Sequence, residues 1–316
     1  MENQNHVVLG GIGVTGTETI KALGRRGVKA ISVGRRSHPD RAVRSHIADL
    51  LDPDQAARAL AGAEVAYLTV GLSYSAKSWQ ERWPLILGNT VDAATKTGTH
   101  LVYLDNVYAY GKVDGPMTEQ VRIRPSSKKG QVRAEALGML DSAARERGLS
   151  YSIARSSDFY GPGASMSVFN MFAIEPVAKG KKGSWIFNAN VPHSLTYTPD
   201  IGQALATLGT DRRGRSGTWH IPTAPALTGR QYLEILAGPG VGTKVMSQMY
   251  MRNGGLFNEA ARETLEMAYQ YTRPHIIDSH LFESTFGVAP TPTEEGIAQT
   301  LRAARAELRE LDATGA

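Results

Sequence analysis

The sequence predicts an α/β protein: a Rossmann-type doubly wound parallel sheet with a smaller mixed C-terminal substrate lobe. Three observations carry that prediction. Over the first 156 residues, short continuous apolar runs alternate with helical stretches, the pattern of strands covered on both faces by crossover helices. A glycine-rich turn, "LGGIGVTG", follows the first run and opens the first helix. After about residue 160 the alternation gives way to Gly-, Pro- and Ser-rich segments such as "YGPGASMS" and "HIPTAPALTG".

Taken in order, "HVVLG" (6–10) is the first strand and "TETIKALGRRG" (17–27) the first helix. "KAISVGR" (29–35) and "SHIADL" (45–50) are strands two and three. The helix "DPDQAARALAG" (52–62) opens with Asp52 as N-cap and Pro53 at the first helical position, where its missing N–H costs nothing. "EVAYLTV" (64–70) is strand four, and the loop "GLSYSAKSWQERWP" leads into a helix at 83–98. "HLVYLDN" (100–106) is strand five, 126–148 a helix and "SYSIARS" (150–156) strand six. Further helices are expected at 199–208, 228–237, 256–269 and 292–312. Residues 1–160 therefore read as the dinucleotide-binding domain and 161–316 mainly as a substrate-binding lobe. A segment near 194–210 is expected to return to the Rossmann core.

Hydrophobic and charged contents of 41% and 21% are those of an ordinary globular protein. The absence of cysteine excludes disulfides, thiolate catalysis and cysteine-ligated metals, and no metal site is expected. The N-terminus lacks a signal-peptide pattern, and no apolar run is long enough to span a bilayer. A cytoplasmic protein is expected, with no membrane partner. The formal charge is +5, but the basic residues are scattered without a recognition stripe, so no nucleic-acid partner is expected.

Gly10, Gly13 and Gly16 recur at three-residue spacing directly after a strand. The first permits the tight turn, the second lets backbone approach a pyrophosphate, and the third allows helix to pack on strand. The amides of Val14, Thr15 and Gly16 then face the anion at the helix N-terminus. The end of strand two selects the cofactor. Arg35 and Arg36 stand there with no carboxylate nearby. A guanidinium pairs with a 2′-phosphate, whereas a carboxylate would bind the ribose hydroxyl. NADP(H) is expected to be preferred, with NAD(H) possible. Asp49 and Leu50 after strand three are placed at the adenine edge. Val70 and Gly71 after strand four, and Arg155 and Ser156 at the end of strand six, complete the expected cofactor contacts.

These residues, together with "YLDNVYAYG", "IARSSDFYGPG", "HSLTYTPDIGQAL" and "IIDSHLFESTFGVAPTPTEEGI", resemble an extended short-chain dehydrogenase/reductase of the NAD-dependent epimerase/dehydratase type. The resemblance covers nearly the whole chain. It implies a catalytic Tyr-x-x-x-Lys on the helix after strand five, but here Lys129 and Arg133 hold those places. It also implies a serine or threonine where this chain has Asn106, and the acidic pair of sugar dehydratases where it has Val107 and Tyr108. The chain is thus an atypical member, and sugar dehydration is not expected. Such relatives often pair through the helices after strands four and five, so a homodimer through 83–98 and 126–148 is expected.

Three functions follow. The first is an NADPH-dependent reductase of a carbonyl or conjugated double bond in an apolar or aromatic small metabolite. It would use Asn106 to polarise the acceptor and Tyr108 as proton donor. Lys129 would support Tyr108 electrostatically, with Lys128 as the other candidate for the lost tyrosine's place. His193 would reach the substrate from the second lobe. Tyr74, Trp79, Tyr110, Phe159, Tyr160 and Trp185 would line an apolar pocket, although core packing explains aromatic residues equally well. The second is a nucleotide-sugar epimerase. The third is a non-catalytic NADP-sensing regulator, which loss of the Tyr–Lys pair would suit.

Overall fold

The computed structural model describes residues 5–238, 244–247, 249 and 259–314. Residues 256–258 of the helix expected at 256–269 lie outside the described residues. The chain divides into two compact units. Unit 1 comprises residues 1–111, 122–156 and 201–221, and unit 2 comprises 112–121, 157–200 and 222–316. The segment joining unit 1 late in the chain thus begins at 201 rather than near 194, and extends to 221.

Unit 1 is built on a seven-stranded sheet. Its strands are β1 (His6–Leu9), β2 (Ala30–Gly34), β3 (Ser45–Ile47), β4 (Val65–Leu68), β5 (His100–Asn106), β6 (Tyr151–Ser156) and β11 (Thr218–His220). The order is β11-β6-β5-β4-β1-β2-β3, and every pair is parallel. The order reverses between β1 and β4, the switch point where open α/β sheets bind ligands at their carboxyl ends. The helices are α1 (Val14–Arg25), α2 (Pro53–Leu60), α3 (Ala76–Thr97), α4 (Lys128–Arg147) and, crossing from unit 2, α6 (Thr198–Thr210). Right-handed crossovers send α1 to one face and α2, α3 and α4 to the other; α6 packs on the α1 face, so the β6-to-β11 connection is the left-handed exception in this sheet. Gly202 marks the close contact of α1 with α6: a Cβ there would come within 2.4 Å of the Glu18 carbonyl carbon.

Local chemistry accounts for most boundaries. Asp52 caps α2, accepting from the amides of Asp54 and Gln55, with Pro53 at its first position. Ser127 caps α4, its hydroxyl accepting from Gly130 N at 3.0 Å. The differences from sequence expectation have tertiary causes. The helix expected at 83–98 begins at Ala76, and Pro84 lies inside it. Tryptophan anchoring offsets the lost backbone bond: Trp79 Nε1 donates to Ser73 O, and buried Trp83 Nε1 donates to Tyr103 Oη. The seventh strand, β11, is three residues that follow Gly217 and end two residues before Pro222, too short for a legible alternation, and pairing with β6 creates it.

Unit 2 contains β7 (Asp158–Tyr160), β8 (Ser184–Ile186), β9 (Pro192–His193), β10 (Leu195–Tyr197), and the helices α5 (Glu175–Ala178) and α7 (Gly229–Ala237). A long C-terminal helix spans Thr293–Thr314. Its core gathers Tyr160, Phe169, Trp185, Tyr197, Tyr232 and Tyr271 with aliphatic partners. Among the described residues, no helix is long and apolar enough to cross a membrane, and no cluster of acidic and histidine side chains could hold a metal ion.

Candidate functional site

The glycine turn of unit 1 has the shape a dinucleotide needs. Gly10 has φ +89°, and a Cβ there would lie 2.9 Å from the Val70 Cα. A Cβ on Gly16 would lie 2.3 Å from the Gly10 carbonyl oxygen. Turn, strand end and helix start therefore close up only with glycine. Gly13 is the exposed N-cap of α1; no side chain caps that helix, and no acid stands in its first turn. No side chain of its own cap or first turn competes for the amides of Val14, Thr15 and Gly16, a condition for holding a phosphate. The residues present fit the cofactor that the sequence implies.

Around this turn, Gly10 N donates to Val33 O in β2 at 2.8 Å. Arg35 and Arg36 follow directly beyond β2 and are exposed. Asp49 is half-buried: its Oδ1 accepts from Leu51 N at 3.1 Å, and its own N–H donates to Gln55 Oε1 at 2.9 Å. The carbonyl of buried Leu50 accepts from Asn89 Nδ2 of α3. Val70 and exposed Gly71 follow the end of β4.

The end of β5 carries the second group. Asn106 is its last residue, and Asn106 Oδ1 accepts from Tyr108 N at 3.1 Å, capping a 3₁₀ turn over Val107–Tyr110. With that oxygen engaged, the side-chain NH₂ is what Asn106 offers to a ligand. Tyr108 is half-buried, and its ring stacks on Trp79 at 6.3 Å between centroids. Trp79 also receives Tyr74 edge-on. Lys129 is fully buried in the first turn of α4, its ammonium 4.5 Å from the centre of the Tyr74 ring, a cation–π contact. Lys128 is exposed, so Lys129 is the inward-facing lysine. Gly130 sets the spacing: a Cβ there would come within 2.6 Å of the Tyr108 carbonyl. The structure thus brings Tyr74, Trp79, Tyr108 and Lys129 together.

Arg133, one turn further along α4, is enclosed. Its guanidinium lies between Trp79 and Trp83, 4.7 and 4.2 Å from their ring centres, and donates to Tyr103 Oη at 2.8 Å. Burial raises the Tyr103 pKa against the opposing charge of Arg133. Buried Asp105 faces both Arg133, at 3.9 Å, and Arg155, whose Nε donates to it at 2.9 Å. Asp105 and Arg155 are register partners across β5 and β6. Burial alone would lower the Arg155 pKa, but Asp105 and Tyr110 together outweigh it and the net shift is upward. The Arg155 guanidinium covers the ring of buried Tyr110, whose hydroxyl is 2.8 Å from His220 Nε2. Arg155, buried Ser156 and Tyr110 therefore sit inside the sheet layer rather than on an open surface. Sequence reasoning missed this network of Tyr103, Asp105, Arg133 and His220. Its signal was two residues alternating onto one face of β5 opposite two cations four apart on α4.

In unit 2, His193 is 1% exposed. Its Nε2 lies 3.1 Å from Asp158 Oδ2, and its Nδ1 lies 3.1 Å from the Gln270 carbonyl oxygen. The ring stacks between Tyr271 and His275. Both nitrogens face acceptors, so this geometry binds imidazole as an anchor within the unit. Tyr271 also donates to Asp158 at 2.6 Å. Burial would raise the Asp158 pKa, but the hydrogen bond and charge of His193, with His275 and Tyr271, hold it below the usual carboxylate range. Burial, reinforced by His193, pushes His275 down to about 3. Tyr160 and Trp185 are packed in the unit 2 core, and Phe159 is half-buried in β7.

Residues 6–218 match the family model described as the NAD dependent epimerase/dehydratase family. No curated protein sequence matches the chain. Solved structures do, at low identity. A UDP-glucose 4-epimerase from Thermotoga maritima with UDP-glucose superposes with TM-score 0.77 at 19% identity, covering 96% of this chain and 99% of that one. The dTDP-glucose 4,6-dehydratase DesIV from Streptomyces venezuelae, with NAD and TYD bound, gives 0.77 at 18%, covering 97% and 98%. A UDP-glucuronic acid 4-epimerase from Bacillus cereus in complex with NAD gives 0.76 at 13%, covering 96% and 99%. At these identities the likeness is one of fold.

Proposed function

The chain belongs to the NAD dependent epimerase/dehydratase family, and from that premise we propose that it is an NADPH-dependent reductase of a carbonyl or conjugated double bond in an apolar or aromatic metabolite. The observation that carries this reading is buried Lys129, above Tyr74, where the family resemblance puts a catalytic tyrosine. Removing a proton from a sugar alcohol needs a base. An ammonium and an enclosed guanidinium are not bases, but they favour negative charge developing on an oxygen. Reduction makes that demand. When bound, the nicotinamide supplies the hydride. The NH₂ of Asn106 donates to the acceptor oxygen, Tyr108 delivers the proton, and Lys129 favours the phenolate left behind. Arg35 and Arg36 bind the 2′-phosphate, Asp49 the adenine edge. A homodimer through α3 and α4, in a reducing compartment such as the cytoplasm, completes the proposal; Leu85 is an exposed apolar side chain on α3.

A nucleotide-sugar epimerase is the second reading, favoured by the fold likeness to UDP-glucose 4-epimerase. NADPH oxidation followed against a panel of enones, ketones and UDP-sugars separates the two. Oxidation with enones or ketones is the expected result. Epimerisation without net redox would replace the first reading with the second, and tight NADPH binding without any turnover would leave a sensor.

A further inference from the structure

Side chains from the turn after β5, from α3 and from α4 meet on one indole, that of Trp79. The sequence expectation sets this residue in a substrate pocket, but it is 6% exposed and its ring is covered by the protein itself. Tyr108 stacks on it with planes 17° apart and Trp83 with planes 27° apart, at 6.3 and 6.4 Å between centroids. Tyr74 meets it with planes 89° apart, and the Arg133 guanidinium lies 4.7 Å from its centre. Stacked and edge-on contacts at such separations are the ones aromatic quadrupoles favour.

The indole is itself fixed. Its ring N–H donates to Ser73 O and its main-chain N–H to Ser75 O, both at 3.0 Å. Arg133, 7% exposed, holds it in turn: the guanidinium also covers Trp83 at 4.2 Å, donates to Tyr103 Oη and faces Asp105. Tyr103 Oη accepts from Trp83 Nε1 as well. A planar guanidinium can lie on an aromatic face and donate in its own plane at once, which an ammonium cannot do. Tyr108 has its backbone set by Asn106 Oδ1 and by the closeness of Gly130, but a tyrosine ring on a set backbone still has several staggered rotamers. They place the phenol oxygen several ångströms apart, beyond the reach of about 2.6–3.2 Å that proton transfer needs. A stack on a fixed indole biases that choice by up to roughly tenfold.

We propose that Trp79 is the positioning residue of this site: its indole selects the orientation from which Tyr108 delivers its proton, and Arg133 acts by fixing the indole. The proton-donor role of Tyr108 rests on the reductase reading; the orientation of its ring does not. Two measurements on the full chain separate the two. Fluorine NMR of the chain labelled with meta-fluorotyrosine reads the ring, the Tyr108 line being assigned by its absence from Tyr108→Phe. In the wild type the indole ring current displaces that line. Trp79→Leu should move it towards the position of a solvated tyrosine, and Trp79→Phe should leave it nearer the wild-type position. Arg133→Lys, which keeps the charge and loses the flat face, should move it in the same direction as Trp79→Leu. Thermal melting by circular dichroism checks each fold. NADPH oxidation with the best acceptor among enones and ketones reads the consequence. Trp79→Leu should lower kcat roughly tenfold at unchanged KM, and Trp79→Phe should restore most of it. In Tyr108→Phe, where no hydroxyl is left to position, adding Trp79→Leu should cost nothing further. A Tyr108 line that stays put in Trp79→Leu or in Arg133→Lys overturns the proposal, and should one of the two not fold, the other decides. A further loss of kcat on adding Trp79→Leu to Tyr108→Phe overturns it too, because Trp79 would then support the fold in general. A line that moves in a protein that oxidises NADPH with no acceptor supports the positioning and tells against the reductase reading.

Discussion

At the scale of single residues, the chemistry turns on what holds each side chain. Arg133 and Arg155 are spent on Asp105 and aromatic faces. Tyr108 differs: half-buried, with its ring anchored on Trp79, it can be trimmed by one atom without disturbing the stack. Tyr108→Phe is therefore expected to lower turnover by roughly 10²-fold with NADPH binding intact. Wild-type turnover in that variant, measured on the true substrate, would remove Tyr108 as proton donor. The exposed pair Arg35 and Arg36 supports a second expectation. A bidentate guanidinium–phosphate contact is worth on the order of 2 kcal/mol, or about thirtyfold in affinity. NADPH should bind more tightly than NADH by that factor, and replacing both arginines with serine should erase the difference. Equal dissociation constants in the wild type would dispose of the preference.

At the scale of elements, helices and strands meet at glycines that admit no side chain. Gly16 has backbone on the far side of its missing Cβ: the Gly10 carbonyl oxygen at 2.3 Å and the Gly11 Cα at 2.8 Å. Backbone cannot rotate away as a side chain can, so Gly16→Ala must push α1 off β1. Dinucleotide affinity is expected to fall at least tenfold, with stability reduced by roughly 1–3 kcal/mol from overpacking. Fluorescence titration of the cofactor and urea unfolding read the two effects separately; unchanged affinity would mean that the turn does not hold the pyrophosphate. The strands β1 to β6 and the glycine turn were legible because each is a run of consecutive residues with a period or spacing. The early start of α3 and the existence of β11 were not, because Trp83–Tyr103 and β6–β11 contacts join residues far apart in sequence.

At the scale of the whole molecule, three histidines are buried without charge. Burial pushes His6 and His100 down to about 4 and His275 to about 3, from 6.5. Above pH 6.5 neither folded nor unfolded chain protonates them, so they leave stability unaffected. Below it, the unfolded chain binds protons that the folded chain refuses, and stability falls with pH. The loss continues to about pH 4 for His6 and His100 and to about 3 for His275. By pH 5 each contributes about 2 kcal/mol of destabilisation. Urea midpoints should therefore drop steeply between pH 6.5 and 5, before carboxylates titrate, and His275→Gln should flatten the slope; a flat profile in the wild type would contradict it. The sequence by itself determined the doubly wound sheet, the glycine turn, and that Lys129 and Arg133 stand four residues apart after β5, because period, spacing and residue identity are properties of the chain. Only the tertiary structure decided that Lys129 and not Lys128 turns inward, that Arg133 and Arg155 close on Asp105, and that His193 is anchored by Asp158. An identity names the group, but burial and the atoms brought beside it from elsewhere in the chain set what that group can do.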